Sequence, residues 1–193
     1  MAFATETVMN IRERILDIYM HKATGRYGLS DVNQLQHALQ SASLAEARGE
    51  PQSLLVAALL HDIGHMIHDL GEDPARNGID DTHEERAAEW LSAYFGPEVT
   101  EPIRLHVSAK RYLCAVDPNY LSKLSEDSAR SLVLQGGPMS ADEVSEFQRM
   151  PYYDAAVRLR RYDDLAKNSS AVTPGFEHFL PAIDVALSTG PAA

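Results

Sequence analysis

Apolar residues recur at three- and four-residue intervals along nearly the whole chain, and strand-like alternation bounded by turns is missing. The spacing predicts a first helix over Glu6 to Lys22, with Val8, Ile11, Ile15, Ile18 and Tyr19 on one stripe. Gly25 and Gly28 bracket a loop that carries Tyr27. A second helix is expected from about Asp31 to Arg48, stopped by Gly49, with a fresh start at Pro51. Leu54-Leu-Val-Ala-Ala-Leu-Leu60 is apolar on every side, the pattern of a central buried helix, and it leads directly into His61-Asp-Ile-Gly-His65. After a polar loop from Gly71 to Asp81, Thr82-His-Glu-Glu85 reads as a capping box with Thr82 as N-cap and Glu85 reaching back. That places His83 in the first turn of a fourth helix, which ends near Gly96-Pro97. A fifth helix holds Ile103, His106 and Val107; Ser140-Ala-Asp-Glu143 is a second capping box; a last long helix carries Val157, Leu159 and Asp163. The expected fold is all-α, a single bundle of about seven or eight helices over 1–187 followed by a disordered tail over 188–193.

Composition narrows the setting. A chain of 193 residues is the size of one domain and buries a core without staples. With 17 basic against 28 acidic residues the net charge is −11, which disfavours nucleic acid or an anionic membrane as partner, since both attract clustered Lys and Arg. Cys114 is the single cysteine, so no internal disulfide forms and a reducing compartment suits the chain. The N-terminal stretch lacks the basic-then-apolar order of a signal peptide, and no apolar run approaches ~18 residues. A cytoplasmic protein acting on small molecules, as a monomer or small homo-oligomer, is the expectation.

The candidate chemistry lies in His37, His61, Asp62, His65, His83, His106 and Asp163. Taken singly, these residues have ordinary readings. His37 lies off the Val32–Leu35–Leu39 stripe, and Asp163 sits in Arg160-Arg-Tyr-Asp-Asp164, which by itself is a charged helix face. His21, His68 and His178 read as surface residues. A His-Asp pair directly after a fully apolar helix is different, because such groups are not buried without partners or a metal. Adjacent helical residues point about 100° apart, so His61 and Asp62 serve one site only if it lies beside the helix end, whereas His65 shares the face of His61 one turn on. Imidazole and carboxylate suit Fe, Mn, Zn or Ni.

The order His37, His61-Asp62, Asp163 resembles the HD-domain superfamily of metal-dependent, all-helical proteins, most of them phosphohydrolases. Asn33-Gln-Leu-Gln-His37, Ala57-Ala-Leu-Leu-His-Asp-Ile-Gly-His65, His106-Val-Ser-Ala-Lys-Arg-Tyr-Leu113 and Gln135-Gly-Gly-Pro-Met139 together are similar to its mixed-valent di-iron oxygenases, from about Tyr27 to Glu177. That group includes dioxygenases of 2-amino-1-hydroxyethylphosphonate. The resemblance implies two Fe ions, Fe(II) and Fe(III), with O2 as co-substrate. His37, His61, Asp62 and Asp163 would hold one ion; His83, His106 and the bridging Asp62 would hold the other. It further implies catalytic roles for His65, Tyr27 and Lys110, with Tyr27 leaving the iron when substrate arrives. Lys110, Ser128, Gln135 and Arg160 would grip a phosphonate, the guanidinium bidentately. Members of the group keep a glutamate three residues after the tyrosine, where it meets a primary ammonium; here Ser30 stands there, followed by Asp31. A trimethylammonium group has no N–H to donate and suits a roomier, aromatic-lined pocket. The implied reaction is therefore oxidative C–P cleavage of (R)-1-hydroxy-2-(trimethylammonio)ethylphosphonate to glycine betaine and phosphate, with the unmethylated 2-amino compound as the alternative. Asp31 could also replace the glutamate, or Ser30 and Asp31 could simply cap the second helix. An HD phosphohydrolase acting on nucleotides, and a metal-free sensory module, are the competing classes.

Overall fold

The computed structural model describes residues 2–23, 32–68, 70 and 74–191; the side chains of 2–10, 74 and 76 are outside that description. Tyr27, Ser30 and Asp31 therefore lie outside the described residues. Within them the chain forms nine α-helices and no β-strand. They are α1 (Ala2–His21), α2 (Gln34–Ala47), α3 (Gln52–Leu60), α4 (His83–Ser92), α5 (Pro97–Val116), α6 (Glu126–Leu134), α7 (Ala141–Phe147), α8 (Tyr153–Leu165) and α9 (Leu180–Ser188). The all-α expectation holds, with two short helices, α6 and α9, added to those the spacing marks. Both are nine residues long, and α9 carries a proline in its first turn, so neither sustains a long apolar stripe. Past α9 the backbone stays packed through Gly190, where a Cβ would sit 2.2 Å from the Tyr94 carbonyl oxygen.

Helix α3 is the hub. Leu54 to Leu60 are all buried, and α2, α5, α8 and α9 pack around them. Ile15, Leu59, Leu60, Ile63, Leu91, Phe95, Ile103, Phe176, Phe179 and Ile183 join the same core. Each such side chain contributes roughly 1.5–3 kcal/mol by leaving water. A smaller cluster of Leu105, Ala109, Phe147 and Ala156 fixes α7 against α5 and α8.

The end of α3 is where packing becomes chemistry. A helix leaves its last carbonyls without partners. Here the Leu59 carbonyl accepts a 2.7 Å hydrogen bond from the buried Tyr19 hydroxyl, and the Ala58 carbonyl accepts from His61 Nδ1 at 3.0 Å. The α-helix stops at Leu60, and Ile63–Met66 turn into a tight 3-10 coil. His65 therefore does not share a helix face with His61, as an unbroken helix would require. The turn is possible because residue 64 is glycine: a Cβ there would meet the His83 carbonyl oxygen at 2.0 Å.

Two cap predictions have different outcomes. Ser140 and Glu143 form the expected capping box at α7. Thr82 does not: its backbone is left-handed (φ 47°, ψ 39°) and its side chain caps nothing. Asp81 takes that role, its Oδ1 lying 3.4 Å from the His83 backbone nitrogen.

Candidate metal centre and anion pocket

Four histidines meet in two pairs, each approaching nitrogen to nitrogen with the rings tilted. His37 Nε2 lies 3.1 Å from His61 Nε2, and His83 Nε2 lies 3.2 Å from His106 Nε2. In each ring the other nitrogen is already committed. His37 Nδ1 donates to the Ala166 carbonyl at 2.9 Å, His61 Nδ1 to Ala58, and His106 Nδ1 to the Ile103 carbonyl at 2.7 Å. His83 Nδ1 lies 2.9 Å from Asp81 Oδ1. The Nε2 atoms therefore point their lone pairs at one another, an arrangement that repels unless a proton or a cation stands between them. The off-stripe position of His37 in α2 is explained here, since its ring is fully buried and aimed inward at this centre.

Asp62 sits between the pairs. Its Oδ2 is 3.5 Å from His37 Nε2, while Oδ1 is 3.6 Å from His83 Nε2, 3.8 Å from His106 Nε2 and 3.4 Å from His61 Nε2. Asp163 Oδ1, on α8, is 3.4 Å from His37 Nε2. Asp62 Oδ2 and Asp163 Oδ1 are both buried without a hydrogen bond, a costly condition that a bound cation relieves. Burial holds His61 below the usual imidazole range, and burial together with His83 and His61 holds His106 well below it, so both rings are neutral. Burial alone would raise Asp62, but the surrounding histidines, His61 foremost, keep it well below the carboxylate range. Burial would likewise raise Asp163, and Arg160 and Lys167 hold it down. His83 differs: burial opposes its charge, yet the Asp81 hydrogen bond with Glu84 and Asp62 pushes it up to about 9. Imidazoles around ionised carboxylates, each with an oxygen that no hydrogen bond satisfies, fit one or two divalent or trivalent cations. His37, His61 and Asp163 form one cluster with ligand-atom spacing, and Asp62, His65 and His83 form another.

A cavity of about 110 Å³ opens on this cluster. Asp62, His65, His83, His106 and Asp163 line it, and so do Lys110, Ser128, Gln135 and Arg160, the four residues expected to hold an anion. Lys110 is buried on α5, donates to Ser131 Oγ at 2.7 Å, and is pushed down to about 7 by burial and by Arg160. Gln135 presents a buried Oε1 with no partner. The Gly136-Gly137 turn that aims it is tied to α5, because the Gly137 carbonyl accepts from Arg111 Nε at 2.8 Å. Ser128 Oγ accepts from Arg160 Nη2 at 3.2 Å and lies 3.3 Å from Lys167 Nζ and 3.1 Å from Ser125 Oγ. Arg160 departs from the bidentate grip expected of it. Its fork is engaged by Asp163 (Nη1 to Oδ2, 2.7 Å) and Asp164, and Nε donates to Tyr120 at 3.1 Å. Its positive charge faces the cavity, but its geometry serves Asp163.

Two residues of the site are not marked by the sequence. In the sequence Asp81 is only the end of a polar loop. His68, read as a surface residue, has a side chain only 2% exposed, with Nε2 3.3 Å from Asp81 Oδ2. Neither carries a sequence signal beyond lying just before His83 or just after His65. His21 and His178 are at the surface as expected. Among the described residues lining the cavity there is no Phe, Tyr or Trp, so the expected aromatic lining is not found there.

Comparison with known proteins places these features in context. The HD domain model matches residues 34–135. The chain is 41% identical, over 90% of its length and 89% of the relative's, to a [1-hydroxy-2-(trimethylamino)ethyl]phosphonate dioxygenase (glycine-betaine-forming) of Leisingera caerulea. It is 43% identical to a hydroxymethylphosphonate dioxygenase of Gimesia maris, over 81% of this chain and 78% of that one. An uncharacterized protein of Acanthamoeba polyphaga mimivirus is 34% identical over 84% of this chain and 75% of its own.

Proposed function

Because this chain belongs to the HD-domain family, in the branch of the phosphonate dioxygenases, we propose that it cleaves the C–P bond of (R)-1-hydroxy-2-(trimethylammonio)ethylphosphonate with O2, giving glycine betaine and phosphate. The observation that carries this reading is a single cavity whose wall holds both a His/Asp metal cluster and a buried anion set of Lys110, Ser128 and Gln135. The net reaction balances as R–CH(OH)–PO3²⁻ plus O2 to R–COO⁻ plus phosphate, accounting for both oxygen atoms.

Two iron ions, one on His37, His61, Asp62 and Asp163 and one on Asp62, His83 and His106, would supply the electron transfer with O2 that C–P cleavage requires. The chain's residues bind and orient. Lys110 and the Ser128 hydroxyl would donate to the phosphonate, and Gln135, on the same wall, would complete the set through its amide N–H. Arg160 fixes Asp163 and adds charge beside the anion. That grip sets C1 and its hydroxyl against the Asp62 end of the cavity, the geometric share of catalysis. His65 lines the same end, with Nε2 3.9 Å from Asp62 Oδ1, where it can accept the proton of the C1 hydroxyl. Tyr27 and the Ser30–Asp31 pair would act at substrate entry and at the ammonium group.

One observation favours a second reading. No aromatic side chain among the described lining residues is there to face a trimethylammonium group, and hydroxymethylphosphonate, which has no ammonium, would need none. Phosphate release from iron-loaded protein decides between them, comparing the trimethylammonio substrate, its 2-amino analogue and hydroxymethylphosphonate. The highest kcat/KM is expected for the trimethylammonio compound. A higher value for hydroxymethylphosphonate would establish the second reading, and phosphate released from nucleotides without O2 would replace both with hydrolysis.

A further inference from the structure

The Asp81 carboxylate meets three imidazoles. Its Oδ1 is 2.9 Å from His83 Nδ1, and its Oδ2 is 2.6 Å from His65 Nδ1 and 3.3 Å from His68 Nε2. The rings of His65 and His83 stack in parallel above it, centroids 3.8 Å apart and planes 21° from one another. The hydrogen-bond roles close without conflict. His68 Nδ1 accepts the Leu70 backbone N–H at 3.1 Å, so its proton is on Nε2, facing Asp81. A carboxylate only accepts, so His65 and His83 both carry their proton on Nδ1.

The local backbone is built around this residue. Arg86 Nε donates to the Asp81 carbonyl at 2.9 Å. The next residue, Thr82, occupies the left-handed region at φ 47°, which a β-branched side chain adopts only under constraint. Asp81 is itself buried.

We propose that Asp81 is the positioning residue of the site: its carboxylate fixes the tautomers of His65 and His83 together, so that His83 offers Nε2 to a metal ion and His65 offers Nε2 to the substrate. The inference rests on the oxygenase reading for the role of His65, though not for that of His83. A carboxylate behind a ligating imidazole sets its orientation and raises its basicity. Here one carboxylate does so for a ligand and a proton acceptor at once, coupling metal occupancy to substrate handling. His65, His68 and Asp81 also have the spacing of a cation site, but each contact is already explained by an N–H donated to the carboxylate.

The test reads tautomers and metal affinity before activity. Zinc-loaded protein is diamagnetic, and its imidazole 15N shifts report which nitrogen carries the proton. Wild-type His65 and His83 are expected to be protonated at Nδ1. Asp81→Asn should shift His65 toward Nε2 protonation and lower zinc affinity about 10–100-fold, whereas His65→Ala leaves affinity unchanged. In iron-loaded protein at saturating metal, Asp81→Asn should cost less turnover in the His65→Ala background than in the wild type, since only the path through His83 is then left to Asp81. Wild-type His65 protonated at Nε2 overturns the proposal without any variant. So does an Asp81→Asn protein with unchanged tautomers and affinity, or a zinc ion bound at His65, His68 and Asp81. If no phosphonate is turned over, the oxygenase reading fails, while the zinc and 15N results still decide the coupling of Asp81 to His83.

Discussion

At the scale of single residues, the site is defined by what its polar atoms lack. Two buried carboxylate oxygens without a hydrogen bond, and two pairs of imidazole nitrogens 3.1 and 3.2 Å apart, are the pattern that bound cations would relieve. None of this was visible in the sequence residue by residue. His37 is off the apolar stripe of its helix, and Asp163 reads as part of a charged face; only the joint order of motifs singled them out. Asp81 and His68 stayed hidden because a turn, not a spacing, brings them together. Lys110 gives the sharpest prediction at this scale. Burial and the neighbouring Arg160 and Lys167 push its ammonium down to about 7, and a bound dianion pushes it back up. Phosphonate binding should therefore take up a proton at pH 8, and affinity should fall as pH rises above 7. Calorimetry in buffers of different ionisation enthalpy measures the uptake, and Lys110→Met should abolish it while weakening binding by about 10–100-fold, the worth of a charged hydrogen bond. For folding the sign is opposite: the unfolded chain holds this proton more tightly between pH 7 and 10.5, so the lysine's contribution to stability rises with pH across that window. His65→Ala should cut turnover with the metal content unchanged; unaltered turnover would remove His65 from the mechanism.

At the scale of elements, the apolar pattern marks α1 to α5 and α8 because each presents a stripe, or in α3 a whole surface, to one core, while the Ser140–Glu143 capping box marks α7. It erred where tertiary contact overrides local preference. Thr82 has the residues of a capping box but sits left-handed, because Asp81 has already taken the first N–H of α4. The run from Leu54 to His65 looks like one helix, yet it breaks after Leu60 so that Gly64 can lie against the His83 carbonyl. That contact joins the His61–Asp62 turn to α4 and with it the two halves of the metal cluster. Gly64→Ala is expected to cost at least about 1–3 kcal/mol of stability by overpacking, and to lower metal content with it. Thermal unfolding and elemental analysis check both, and a variant with wild-type melting and full metal would show that this junction tolerates a side chain.

At the scale of the whole molecule, a chain of net charge −11 places three cationic side chains, Lys110, Arg130 and Arg160, on the wall of one cavity. An acidic surface repels nonspecific polyanions, and in the proposed reading the cavity takes a small one. No helix among the described residues is long and apolar enough to cross a membrane. The HD fold with its metal cluster serves hydrolases and oxygenases alike, so the fold alone does not assign the reaction. The assignment rests on the anion set beside the cluster and on relatives that are phosphonate dioxygenases along most of the chain. The distinction between the two chemistries is the origin of the new oxygen atom. The most direct measurement is mass spectrometry of the glycine betaine formed from (R)-1-hydroxy-2-(trimethylammonio)ethylphosphonate by iron-loaded protein under 18O2. One 18O atom in the carboxylate is expected, its other oxygen being that of the original hydroxyl. A carboxylate labelled only from H2 18O, or phosphate formed equally well without O2, would contradict the oxygenase account.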